Sequence, residues 1–68
     1  MMSTLADKKP GTYVIKEIRG EYKKLYDLMI VPGTRITVIT NDNEPMLVKI
    51  GNCKIAMGKD IARSIIVE

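Results

Sequence analysis

The sequence predicts a mainly β fold, a small five-stranded barrel with one short helix. The tripeptide Pro-Gly-Thr occurs twice, at 10–12 and 32–34, and each copy opens a run rich in β-branched residues. Pro fixes φ for a tight turn and Gly accepts the positive φ that follows, so both copies predict entries into strands. Between them, one short stretch has helical spacing. Five strands in a chain of 68 residues must curl to protect their edges, which favours a partly open barrel.

The predicted elements follow in order. Thr4 can cap a turn at Leu5–Asp7, with Leu5 closing one end of the core. The first strand, at 12–18, does not alternate strictly, which indicates a bulge or bend. Residues 21–29 have apolar positions at helical spacing, and a helix this short needs packing on the sheet to be stable.

The second half of the chain alternates in period two, as half-buried strands do. Gly51-Asn52 has the composition of a two-residue hairpin loop between two of these strands. The remaining predicted strands and turns are Arg35–Thr40, Met46–Ile50, Cys53–Met57, a helical turn at 59–63 and a last strand at 64–67. The predicted core includes six β-branched residues: Ile15, Ile36, Val38, Val48, Ile55 and Ile65.

Composition and charge limit the class of protein and the kinds of partner it could bind. Residues 1–10 are charged and lack an apolar centre, and no apolar run approaches the length of a membrane span, so we expect a cytoplasmic protein that forms one domain over 1–68. The net charge is +3, with an excess of Lys and Arg between residues 8 and 24. One face should therefore be electropositive, a property that suits phosphates, acidic proteins or anionic lipid equally.

The residues give little support for metal or catalytic chemistry. The chain has no His. Its one cysteine, Cys53, is predicted to be a small buried hydrophobic residue on a strand. The acidic stretch 41–45 lacks the glycine and final glutamate of a calcium loop, which predicts a solvated loop. Phosphate-loop and nucleophile motifs are missing, and Arg19, Arg35 and Arg63 are best explained as surface charges. We expect no catalytic residue, no metal and no cofactor.

A series of motifs in order along the chain resembles the FeoA family of ferrous iron uptake systems. The matches run from residue 4 to residue 67, and their order and spacing are more specific than any single motif. The matching residues are Leu5, Pro10-Gly11, Ile18-Arg19-Gly20, the stretch 23–34, Pro45, Ile55-Ala56-Met57, Ala62, Ile65 and Val67. The resemblance implies an SH3-like barrel. It also implies a cytosolic accessory protein that acts with FeoB, a membrane ferrous iron transporter with a cytosolic GTP-binding domain.

Two departures from the family pattern affect these expectations. Met29 stands where family members usually have a glycine, so we expect the helix to end differently or to run slightly longer. Lys23 and Lys24 stand where arginines are frequent, and lysine cannot form the planar bidentate phosphate contact of an arginine finger. We therefore expect a binding module and not an enzyme.

The predicted partner-binding residues lie on the helix, where apolar side chains and a basic rim coincide: Tyr22, Lys23, Lys24, Tyr26 and Met29. Two alternatives stay open. A small basic barrel could bind nucleic acid by stacking bases on tyrosines, although the modest charge disfavours this. The chain could also be a stand-alone relative of the SH3-like domain of iron-dependent repressors. Self-association through a strand edge is left open by the sequence.

Overall fold

The structure is a computed structural model that describes residues 3–68. Met1 and Met2, which belong to the predicted domain 1–68, lie outside the described residues. Strands dominate, as predicted. The elements are β1 (Ser3–Thr4), a 3₁₀ turn (Leu5–Asp7), β2 (Gly11–Ile18), α1 (Lys23–Asp27), β3 (Arg35–Thr40), β4 (Met46–Ile50), β5 (Cys53–Met57), α2 (Lys59–Ala62) and β6 (Ile65–Val67).

The strands form an antiparallel sheet in the order β1-β6-β2-β3-β4-β5. The long β2 pairs with β3 through its first half and with β6 through its second half. Its register shifts between Ile15 and Glu17, which confirms the predicted bulge and bends the strand. The sheet curls into the predicted small barrel. The two residues of β1, paired with β6, add a sixth strand to the five expected.

The two Pro-Gly copies enter the sheet differently. At the second copy, the Thr34 amide donates to the Val31 carbonyl at 3.2 Å and Gly33 has φ of +95°, which is the predicted type II turn. At the first copy, Gly11 is itself the first paired residue of β2, opposite Val38. The second copy therefore acts as a turn, whereas the first continues directly into a strand.

The core is aliphatic and lies inside the curled sheet. Five of the six predicted core residues are buried: Ile15, Ile36, Val38, Val48 and Ile65. Ile55 is only half-buried and packs at the margin of this core. The prediction for Cys53 is wrong, because the thiol is exposed. Cys53 lies opposite the buried Ile50 beside the tight turn of the β4–β5 hairpin, but on the edge strand β5, whose outer side pairs with no strand and leaves the thiol uncovered.

The stretch 41–45 is more than the solvated loop that its composition predicts. The Asn41 side-chain amide donates to the carbonyls of Ala6 and Lys8, at 2.9 and 2.8 Å, and so holds the 3₁₀ turn against the end of β3. Glu44 Oε1 accepts the Lys59 amide at 2.8 Å at the first residue of α2. Hydrogen bonds from polar side chains to the backbone therefore join segments that are distant in sequence.

Thr4 stands at the predicted cap position of the 3₁₀ turn, but its side chain makes no capping hydrogen bond to the backbone. Its hydroxyl instead lies 3.5 Å from the Asp7 carboxylate, at the outer limit of a hydrogen bond. Leu5 is fully buried, as expected of a residue that closes one end of the core.

Helix α1 is shorter than the predicted 21–29, and the reason lies at its C-terminus. The Ile30 amide donates to the Leu25 carbonyl at 2.8 Å, and the Met29 amide donates to the Tyr26 carbonyl at 3.0 Å. This pair of bonds is the Schellman motif, whose penultimate residue must be left-handed. Met29 adopts that conformation, with φ of +66°. The expectation of a longer helix is wrong, because Met29 takes the backbone geometry that a glycine would take.

Met29→Gly is expected to raise the free energy of unfolding by about 0.5 to 1 kcal/mol. Relief of the left-handed strain at a side chain with a Cβ outweighs the extra chain entropy of glycine in the unfolded state. Little burial is lost, since Met29 is 65% exposed. Urea denaturation of the two proteins measures the difference. A clear loss of stability in the glycine variant would show that Met29 packs more tightly than its exposure indicates.

Candidate partner-binding site

A groove of about 280 Å³ separates α1 from the β5 strand and the start of α2. Its floor is apolar. Leu25 and Leu28 line it from the α1 side, Ile55 and Met57 from β5, and Ile61 from α2. Leu25 and Met57 are buried, whereas Leu28, Ile55 and Ile61 are half-buried at the edge of the core. The groove is therefore an opening of the barrel onto its own core.

The five predicted partner-binding residues divide into two groups. Tyr22, Lys23 and Lys24 line the groove. Tyr26 and Met29 lie outside its lining, and they are the exposed large hydrophobic residues of the described chain, with 47% and 65% of their surface accessible. One short segment thus supplies three residues to the lining of the groove and carries an exposed apolar pair outside it.

The charges of the groove rim are uncompensated. Elsewhere, Lys16 pairs with Glu68 at 3.3 Å and Arg63 pairs with Asp60 at 3.3 Å. Within residues 3–68, Lys23 and Lys24 take part in no ion pair. Because the rim carries two free ammonium groups beside an apolar floor, it suits an acidic partner with apolar side chains.

Tyr13, a third aromatic residue of interest, is already engaged within the fold. Its hydroxyl donates to the Lys9 carbonyl at 2.6 Å, and the Lys8 ammonium lies 5.3 Å from the centre of its ring. Tyr22 packs against the core from the groove side. Tyr26 is therefore the tyrosine with the most accessible ring.

Metal ligands do not gather in the part of the chain that the structure describes. Between residues 3 and 68, no three His, Cys, Asp or Glu side chains come close enough to share a metal ion. The same residues contain no helix long and apolar enough to span a bilayer. The expected lack of a tight metal site stays a prediction.

Sequence reasoning missed the wall of the groove formed by Ile55, Ala56, Met57 and Ile61. These residues face α1 across the opening although they lie about thirty positions further along the chain. Their local pattern predicts an ordinary strand and turn. Only the strand order, which leaves β5 at the end of the sheet, places them beside the helix.

With this geometry in place, comparison with known proteins decides the family. The model of the FeoA domain matches residues 3–68, which is every residue the structure describes. The chain belongs to the FeoA family. The family resemblance seen in the sequence is therefore confirmed. The SH3-like fold is confirmed by similarity to a solved FeoA structure described as an SH3 domain protein. The comparison with curated proteins finds no match.

Three solved FeoA structures are similar to this chain. An iron uptake regulatory protein (FeoA) is 26% identical, with a TM-score of 0.87 over 100% of this chain and 96% of its own. Iron(II) transport protein A from Clostridium thermocellum is 30% identical, with a TM-score of 0.86 over 97% and 44%. FeoA from Stenotrophomonas maltophilia complexed with zinc is 21% identical, with a TM-score of 0.83 over 97% and 89%, and supports the fold alone. It is described as an SH3 domain protein, with a suggested role as a ferrous iron transport activating factor.

Proposed function

We propose that this FeoA protein is a cytosolic accessory module of ferrous iron uptake that acts by binding the cytosolic GTP-binding part of a FeoB-like transporter. Its contact surface is the segment of Tyr22, Lys23, Lys24, Tyr26 and Met29. The role is regulatory binding and not catalysis, in keeping with the activating role suggested for the Stenotrophomonas protein.

The observation that carries the proposal is the exposure of Tyr26 and Met29. Large apolar side chains left in water on a small domain mark contact surfaces when they cluster with a polar rim. Met29 adds a second argument, because it keeps a flexible thioether at a backbone position where glycine would be less strained. A side chain retained against backbone strain indicates a function for that side chain.

Nucleic-acid binding is the weaker candidate. Of the three tyrosines that could stack on bases, Tyr13 is hydrogen-bonded and covered by Lys8, and Tyr22 packs on the core. Stacking platforms need several accessible rings along a basic path. Tyr26 alone provides one ring. A detached repressor domain fits less well still, because the described chain has no helical unit of the kind that reads the DNA major groove.

Charge reversal at the groove rim tests the proposed contact. Lys23→Glu with Lys24→Glu is expected to slow association with the GTP-binding part of the transporter by about tenfold at low salt, because rim charges steer encounter. Stopped-flow mixing at several salt concentrations measures this rate.

The matched control reverses Lys9 and Arg35, two exposed charges outside the groove, and changes the net charge by the same amount. Its association rate should stay within about twofold of the unaltered protein, since steering depends on the local field near the contact. Equal slowing by both double variants would mean that only net charge matters and would remove Lys23 and Lys24 from the site.

A further inference from the structure

Strand β5 is an open edge of the sheet. It pairs with β4 on one side and ends the strand order on the other. The hairpin between them closes on Ile50 and Cys53 through Gly51-Asn52, and Gly51 has the positive φ of +57° found at the first position of a type II′ turn. Hydrogen-bonded pairs alternate along such a hairpin, so Ile50–Cys53 and Val48–Ile55 exchange their bonds. The amides and carbonyls of Lys54 and Ala56 therefore point away from β4.

The groove runs along this open edge. Ile55, Ala56 and Met57 of β5 form one wall, and Leu25 and Leu28 form the other. A strand added beside β5 would turn every second side chain toward these apolar walls, because side chains alternate between the two faces of a sheet. The backbone of β5 would supply hydrogen bonds, and the groove would select the side chains.

The outer face of the hairpin is positively charged. Lys49 and Lys54 stand directly opposite each other across β4 and β5, and both are exposed. Like charges at opposed positions destabilise a pair of strands. Within residues 3–68 neither lysine takes part in an ion pair. An acidic side chain on a strand beside β5 would stand next to Lys54 and relieve this repulsion. Lys23 and Lys24 on the opposite rim favour the same acidic partner.

We infer that β5 and the groove receive an extended segment of the partner protein, which adds as a strand to the Lys54–Ala56 edge. The segment has apolar residues at alternate positions, directed into the groove, and acidic residues between them, directed toward Lys49 and Lys54. This inference rests on the proposed contact with the transporter and specifies its form.

A second copy of this chain is a poorer occupant of the edge. Pairing two β5 strands would bring together two Lys49–Lys54 pairs and add like charge to an already repulsive arrangement. Charge complementarity therefore favours an acidic segment over self-association at this edge.

Amide hydrogen exchange of the full chain, alone and with the GTP-binding part of the transporter, tests the inference without any substitution. The Lys54 and Ala56 amides are expected to exchange about tenfold or more slowly in the complex, because strand addition gives both a carbonyl partner. If the complex forms but neither amide exchanges more slowly, the inferred strand addition is wrong, whereas the proposed function is still supported. Absence of any complex would overturn both.

Ala56→Pro provides an independent test, since proline removes the outward amide while the bonds to β4 come from its neighbours. Affinity for the transporter fragment is expected to fall about tenfold. The control is Asn43→Ala, at an exposed loop position outside the groove and the β5 edge, and it should bind within about twofold of the unaltered chain. Thermal unfolding identifies any variant that does not fold. If Ala56→Pro does not fold, the hydrogen-exchange measurement alone tests the strand addition. A folded Ala56→Pro protein that binds normally would contradict the inference.

Discussion

Ile36→Ala is expected to lower the free energy of unfolding by about 2 to 5 kcal/mol, the range for an aliphatic side chain truncated inside a core. Ile36 lies on β3 and is fully buried. A domain of this size has only about 3 to 10 kcal/mol of stability in total. The variant should therefore be partly unfolded at physiological temperature, as urea denaturation followed by circular dichroism will show.

Ile55→Ala is the matched control for this loss. The side chain is the same, but Ile55 is half-buried at the margin of the core, where the groove opens. Its truncation should cost about 1 kcal/mol, because less surface returns to water and no closed cavity remains. Equal losses at the two positions would place Ile55 inside the core and would mean that the groove is not open in solution.

Replacing Tyr26 and Met29 together by serine is expected to weaken binding of the transporter fragment by about a hundredfold. Each exposed apolar anchor in a protein interface contributes on the order of tenfold when its contact is desolvated. Stability should change little, since both side chains are exposed in the free protein. Isothermal titration calorimetry measures the affinity.

Met29→Gly with Tyr26 intact separates the contribution of the Met29 side chain to binding from the cost of its left-handed backbone to stability. This variant removes the side chain but relieves the strained backbone, so it should bind about tenfold more weakly although its fold is more stable. Unchanged affinity in both this variant and the double serine variant would place the contact elsewhere on the barrel.

Much of the fold could be predicted because period-two patterns depend on neighbours along the chain. Ile36 and Val38 on β3, and Met46, Val48 and Ile50 on β4, alternate with polar or half-buried residues as the structure shows. The predicted first and last residues of an element were wrong where long-range packing or backbone hydrogen bonds determine them. Helix α1 ends early because Leu25 and Ile30 are both buried and joined by a hydrogen bond, which requires the chain to reverse at Met29.

The candidate site could be predicted only in part. The helix residues Tyr22, Lys23, Lys24, Tyr26 and Met29 lie within one short segment, so their pattern is visible in the sequence. The opposite wall is not, because Ala56 and Ile61 meet α1 only when the strand order leaves β5 unpaired on one side. The prediction that Cys53 is buried was wrong for a related reason, since β5 is the edge strand and no strand pairs with its outer side.

We propose that this FeoA protein binds a transporter and not nucleic acid. Titration of the unaltered chain with the GTP-binding part of the transporter, and in parallel with single-stranded RNA, between about 50 and 200 mM salt tests it most directly. We expect saturable binding to the transporter fragment and none to RNA. Absence of transporter binding, together with RNA binding that falls steeply as salt rises, would contradict it.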